Sequence, residues 1–277
     1  MNARTAILTA AAILGAPLAR AGEAEDIRQA CAVLTVAESK RLIGKGVARL
    51  PIVKKALADG QVIITTGTTN TYVAEEILGE KIEPGRFVTG RTYPAKNAKR
   101  LNPEGKFIPV IVLRKGKWEK DVTLDAALKA LKAGDVVIKG GNMLDYENRL
   151  AGVLIGHKTS GTTGKIMPYI VARKAHLVIP IGLEKQCPGD GREIVRMMRE
   201  PVATEGRMPS MFPVTGTIVT EIEALETLCG VKAFQAAAGG IGGAEGSRWM
   251  VFRGRKAQVE EARELIRSVQ GEPPFVK

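Results

Sequence analysis

Cysteine and histidine are scarce. Cys31, Cys187 and Cys229 stand far apart with no C-x-x-C pair, and His157 and His176 are the two histidines, which excludes a disulfide framework and gives no ligand spacing for a structural zinc. Aromatic residues make up 4% of the chain, too few for the stacking platforms that hold single-stranded nucleic acid. No stretch reaches the ~18 uninterrupted apolar residues of a membrane span. Internal repeats and low-complexity tracts are absent. A dinucleotide fingerprint is missing too: the glycines of Gly239-Gly240-Ile241-Gly242-Gly243 stand at the wrong spacing, and a strand-like run follows where a helix is needed. That segment reads as a lid or as an ordinary hairpin loop. No metal and no cofactor is expected.

What is present is a core-forming composition, 45% hydrophobic over 277 residues with 31 glycines, and a surplus of 41 Lys and Arg over 29 Asp and Glu. The length allows one large or two small domains, and the balance of residues suits an α/β enzyme. The positive charge is uneven. Between Lys81 and Lys120 stand eleven Lys or Arg against three Glu. Such a cluster suits a basic face beside a site for anionic ligands, a nucleic-acid footprint, or a solvated insertion. Pro84, Pro94, Pro103 and Pro109 make the stretch loop-rich. No zinc-finger, RNP-type or basic-zipper pattern accompanies it, so nucleic acid is the less favoured partner.

Residues 1–22 carry Arg4, an Ala-rich apolar run broken by Pro17, and Ala19-Arg20-Ala21. This is the grammar of a cleaved secretory signal. The rest reads like an intracellular metabolite enzyme, so a cytoplasmic protein is expected, with export as the alternative.

Thr35-Val36-Ala37-Glu38 is a capping box that opens a helix toward Arg49, and Pro51 opens a second that Gly60 closes. Gln61–Thr66 then reads as a buried strand, followed by a small-residue loop and the helical run Tyr72–Leu78. Further helix–strand units follow at Leu124–Lys132 with Asp135–Ile138, and at Ile166–Arg173 with Leu177–Ile181. This alternation predicts a Rossmann-like, doubly wound, mostly parallel sheet with a smaller C-terminal α+β part. The implied organisation is an extension or signal at 1–33, an α/β ligand-binding domain at 34–206 and a small α+β subdomain at 207–277.

The sharpest chemical element is Thr65-Thr66-Gly67-Thr68-Thr69-Asn70-Thr71, between a strand and a helix. Glycine admits a ligand to the backbone, hydroxyls donate, and the amides of a helix start favour an anion. The bland reading is that Thr and Asn merely cap the helix. A second such loop is Thr159-Ser160-Gly161-Thr162-Thr163-Gly164-Lys165. It is similar to the TSGTTGxPK signature of adenylate-forming enzymes without the trailing Pro-Lys, in a chain of roughly half that family's length, and it lacks P-loop spacing. Two loops at the carboxyl ends of parallel strands would converge on the crevice where open α/β sheets bind ligands. Glu184-Lys185 sits at another strand end. His157 precedes the second loop, whereas His176 falls at a strand start and Cys187 has no activating partner.

Val62 to Gly79 resembles the GTGST phosphate loop of ribose-5-phosphate isomerase and, more broadly, of the sugar-phosphate isomerase and coenzyme A transferase superfamily. Asp135-Val136-Val137-Ile138-Lys139-Gly140-Gly141-Asn142 looks like that isomerase's strand ending in KGGG. The resemblance implies a phosphate ester or coenzyme A-like ligand, phosphate-binding roles for Thr66–Asn70 and Gly140–Asn142, and a catalytic Glu at Glu147. It covers under a tenth of the chain. The family's DGAD motif has no counterpart; Asp121 and Asp125 stand there in a different context. On chemistry alone Lys139, Asp145 and Glu147 form an acid–base set in which a carboxylate takes a proton beside a carbonyl and a cation holds the enediolate; equally, the acids face solvent and one pairs with Lys139. The expectation is an isomerase-like or acyl-transfer-like enzyme, with a non-catalytic metabolite sensor and a nucleic-acid-associated protein as alternatives. Self-association into a homo-oligomer is compatible with either of the first two.

Overall fold

The computed structural model describes residues 26–275; the signal-like segment 1–22 lies outside them. The elements run β1 (Ile27–Leu34), α1 (Val36–Arg49), α2 (Pro51–Asp59), β2 (Gln61–Thr65), α3 (Thr68–Leu78), β3 (Val110–Arg114), β4 (Lys117–Trp118), α4 (Leu124–Lys129), β5 (Val136–Ile138), β6 (Met143–Asp145), β7 (Leu150–Ile155), α5 (Gly161–Arg173), β8 (His176–Pro180), α6 (Gly191–Met197), β9 (Ser210–Val214), β10 (Thr217–Val219), α7 (Glu221–Cys229), β11 (Lys232–Ala238), β12 (Arg248–Arg255) and α8 (Lys256–Val269). The capping box read at Thr35/Glu38 forms and opens α1, and the same motif at Thr220/Glu223 opens α7.

The fold is mixed α/β. Its main sheet has the order β10-β8-β5-β2-β3-β4. β10, β8, β5 and β2 are parallel, while β3 and β4 join antiparallel. A mostly parallel sheet was the expectation for the whole domain, and the departure has a local cause. The chain between α3 and β3 returns through a long loop without a crossover helix, so β3 comes back against β2 in the opposite sense. Two further three-stranded sheets, β1-β12-β11 and β6-β7-β9, are antiparallel.

The inner strands β2, β3 and β5 of the main sheet are apolar on both faces, so helices must cover both. Val62, Ile64, Val136, Ile138 and Val178 cluster with Ile43, Val47, Val53 and Val73 from α1, α2 and α3. Ile63, Val137, Leu177 and Ile179 cluster with Ala127 and Leu128 of α4 and Ile166 and Ile170 of α5. Each fully buried Ile or Val contributes roughly 1.5–3 kcal/mol. α1 also abuts α7 closely: a Cβ on Gly46 would stand 2.7 Å from Ala224. The described part of the N-terminal stretch supplies β1, which pairs with β12 over its full length, from Ile27↔Arg255 to Leu34↔Arg248. The glycine loop before Ser247 joins β11 to β12 as a hairpin. Among the described residues, no helix is long and apolar enough to cross a membrane.

Candidate functional site

β2, β5 and β8 are neighbouring parallel strands, and the segments that leave their carboxyl ends wall a cavity of about 760 Å³. After β2 come Thr66, Gly67, Thr68, Thr69 and Asn70; after β5 come Lys139, Gly140, Gly141 and Asn142; after β8 comes Lys185. The turn from β7 into α5 adds His157, Ser160, Gly161, Thr162 and Thr163. The small-residue loops thus share one space, within the roughly 300–1,000 Å³ of small-molecule sites. The loop between α3 and β3 forms the facing wall through Val88–Pro94, Asn97, Lys99 and Leu101. It is tied down at several points. Gly67 N–H donates to the Phe87 carbonyl at 3.0 Å, the Thr66 and Thr89 hydroxyls meet at 2.7 Å, and Arg91 donates to the Gly85 and Leu101 carbonyls. Phe87 is fully buried beneath.

The hydroxyls of the first loop do not cap α3. No side chain caps that helix. Thr71 Oγ1 donates back to the Gly67 carbonyl, and Asn70 Nδ2 donates to the Thr65 carbonyl at 2.8 Å, fastening the loop to β2. Thr69, 3% exposed, and Asn70, 1% exposed, each keep a buried oxygen without a hydrogen-bond partner. α5 also begins without a side-chain cap, its entry made by Ser160 and Gly161 in left-handed conformation at φ 59 and φ 52. Two helix starts with uncapped amides therefore flank the same cavity, each presenting positive potential.

The charged side chains in the wall share one sign. Lys40 from α1, Arg91, Lys99, Lys139 and Lys185 line the cavity, and among the described residues no Asp or Glu does. Lys139 Nζ donates to the Gly140 carbonyl at 3.1 Å, and Lys185 Nζ donates to the Gly141 carbonyl at 2.9 Å. Burial, with the like charge of Lys185 added, brings the Lys139 ammonium down to about 8. Burial also lowers Lys40, against the opposing pull of Glu184 and Glu221. Glu221 lies buried behind the wall, accepting from Leu183 N–H at 3.0 Å. Burial first, then the neighbouring Glu184 carboxylate, pushes it above the ordinary glutamate value. His157 Nδ1 accepts from Thr159 N–H at 3.1 Å, which leaves the ring's other nitrogen to carry the proton.

Several of the residues singled out in the sequence stand outside this wall. Lys165 points away and pairs with Asp125 at 3.1 Å. Gly164 sits behind the loop, where a Cβ would lie 2.4 Å from the Thr159 carbonyl oxygen. Glu147 is exposed at the tip of the β6–β7 hairpin. Asp145 is buried and accepts from Gly191 N–H at 2.8 Å and from Asn148 at 2.9 and 3.1 Å. Its burial disfavours ionisation, but these donors outweigh it and hold the carboxyl below its ordinary value. The set Lys139, Asp145 and Glu147 is therefore not assembled around the cavity, because the acids were drawn into a strand and turn that the sequence reading did not contain. Glu184 is not in the wall, although its neighbour Lys185 is. His176 opens β8, and Cys187 is half-buried with its thiol raised by burial.

Lys40 and Phe275 reach the cavity with no sequence signal. Lys40 looks like any other polar position of an amphipathic helix, and Phe275 arrives through a C-terminal segment that Arg41 fastens by its bonds to Glu272.

No protein-family model, curated protein or solved structure matches the chain.

Proposed function

We propose that the protein binds a phosphorylated small metabolite in this cavity, as a Rossmann-like α/β protein of the isomerase-like or acyl-transfer-like kind that the GTGST-like and KGGG-like loops resemble. One observation carries the reading: two uncapped helix starts and five cationic side chains line one small-molecule-sized space to which the described residues bring no carboxylate. Uncapped amides and guanidinium or ammonium donors are the usual partners of phosphate. A cationic ligand would meet repulsion from every charged side chain in the wall.

A metabolite sensor without turnover has its own support, since the carboxylate base of an aldose–ketose isomerisation is not supplied by Asp145 or Glu147 where they stand. Thermal denaturation with sugar phosphates, nucleotides and coenzyme A tests the shared premise. At about 100 times the dissociation constant a ligand stabilises by about 2.7 kcal/mol, a shift of about 5–10 °C in a chain of this size. Thr68→Trp is expected to remove the shift by filling the mouth of the first loop. A melting temperature unmoved by the whole panel would sink the reading. Turnover of a sugar phosphate that survives in Glu147→Gln separates an enzyme using other residues from the family's glutamate mechanism.

A further inference from the structure

We infer that Lys139 is a carbonyl-condensing lysine, whose ε-amine attacks the aldehyde or ketone carbon of a phosphorylated ligand held in the cavity and forms an imine. This rests on the phosphate-binding reading and specifies the second functional group of the ligand.

The placement is favourable on each side. Lys139 directly follows β5, which lies between β2 and β8 in the sheet, so the helix start that follows β2 stands to one side and Lys185 to the other. Gly140 and Gly141 leave the wall beside it free of side chains. Among the described residues the Lys139 side chain makes no ion pair, and its one hydrogen bond is to the Gly140 carbonyl. The other charged groups lining the cavity are Lys40, Arg91, Lys99 and Lys185, with His157 and Tyr93 as the remaining titratable ones. All the charges oppose an ammonium. Lys40 differs, because Glu184 and Glu221 favour its charged form. Lys139, brought to about 8 by burial and Lys185, holds on the order of a hundredfold more free amine near neutral pH than an exposed lysine.

In the step itself the amine lone pair forms the C–N bond while the carbonyl π electrons move to oxygen. The uncapped start of α3 and the unpartnered Thr69 hydroxyl suit that developing oxyanion. The carbonyl oxygen then leaves as water with the two amine protons, and the C=N bond replaces the C–O bond. No oxidant or reductant takes part. Proton uptake gives an iminium that draws electrons from the adjacent carbon, the activation that isomerisation or carbon–carbon cleavage uses.

Pyridoxal 5′-phosphate, an aldehyde bearing a phosphate, is a direct probe. Stoichiometric probe with the full chain, borohydride reduction and peptide mass mapping are expected to place the phosphopyridoxyl group on Lys139 with a preference on the order of tenfold over any exposed lysine. Pyridoxal without phosphate is expected to label weakly and without selectivity, and inorganic phosphate to protect. The labelling rate is expected to rise with a midpoint near pH 8. In Lys139→Arg, which keeps the charge, incorporation is expected to fall to the level of the pyridoxal control. Label spread over surface lysines, or placed on Lys40 or Lys185, while phosphate esters still raise the melting temperature, overturns the imine and leaves phosphate binding standing. Absence of both label and thermal shift overturns the two together.

Discussion

A half-buried ammonium among like charges is a burden on the ligand-free protein, and Lys139 shows it most directly. Its folded pKa of about 8 lies below the ordinary 10.5. Between those values the unfolded chain holds a proton that the native state does not, so native stability rises as pH climbs from about 8 to 10.5, and at neutral pH the charged form is held at a cost. Lys139→Met is expected to raise the melting temperature at pH 7 by a few degrees, to abolish that rise on the alkaline side, and to weaken phosphate-ester binding. Thermal denaturation from pH 7 to 10.5 checks all of this, and a variant less stable than wild type at pH 7 refutes it. Asp145 is the opposite case. It holds three N–H donors, and Asp145→Ala leaves Gly191 N–H and Asn148 N–H without acceptors, for a loss of about 1–3 kcal/mol. Chemical denaturation should show that loss, with the ligand-induced shift retained. A lost shift in a variant that still folds would return Asp145 to the site.

At the scale of elements, local chemistry made some boundaries legible and hid others. The two capping boxes and the Pro51–Gly60 helix could be read because their signals lie within four residues of the boundary they set. α5 begins at Gly161 and not at Ile166, an earlier start that the low helix propensity of Gly-Thr-Thr-Gly concealed. β6 and β7 were missed because a three-residue strand is too short to show a period, and because β7, beside its hairpin pairing with β6, is anchored by β9, some sixty residues on in sequence. That omission is what misplaced Asp145 and Glu147. The cavity-lining residues of the two small-residue loops were legible because glycine and hydroxyl clusters at strand ends are a short-range signal, whereas Lys40 depends on tertiary packing alone. Gly164 ties the element to the cavity. Gly164→Ala puts a methyl 2.4 Å from the Thr159 carbonyl oxygen, which forces the 159–163 loop to shift and is expected to lose about 1–3 kcal/mol. Because the same loop lines the cavity, affinity for a phosphate ester should fall with it. Calorimetric titration showing unchanged affinity would mean that the second loop does not touch the ligand.

Over the whole molecule, the basic run from Lys81 to Lys120 is contiguous in sequence and divided in space. Arg91 and Lys99 line the cavity at the carboxyl ends of the parallel strands. Arg114 pairs in register with Gln61, and Lys115 N–H donates to the Gly60 carbonyl, so the hairpin bearing Arg114, Lys115 and Lys117 stands at the amino end of β2, the opposite edge of the sheet. β3 runs back along β2, and that reversal carries the second half of the charge away from the first. A cationic approach to a small anion and a nucleic-acid footprint therefore predict different outcomes. If the cavity binds a phosphate ester, Lys99→Glu should weaken binding by about 2–10-fold at low ionic strength, with the difference shrinking as salt screens it, while Lys117→Glu leaves affinity unchanged. If the run served a polyanion spread over the surface, both reversals would weaken DNA or RNA binding alike and flatten its salt slope by similar amounts. Titrations of both variants with a sugar phosphate and with a duplex, each at low and high salt, decide between them, and equal sensitivity to the two reversals refutes the assignment of this charge to the cavity.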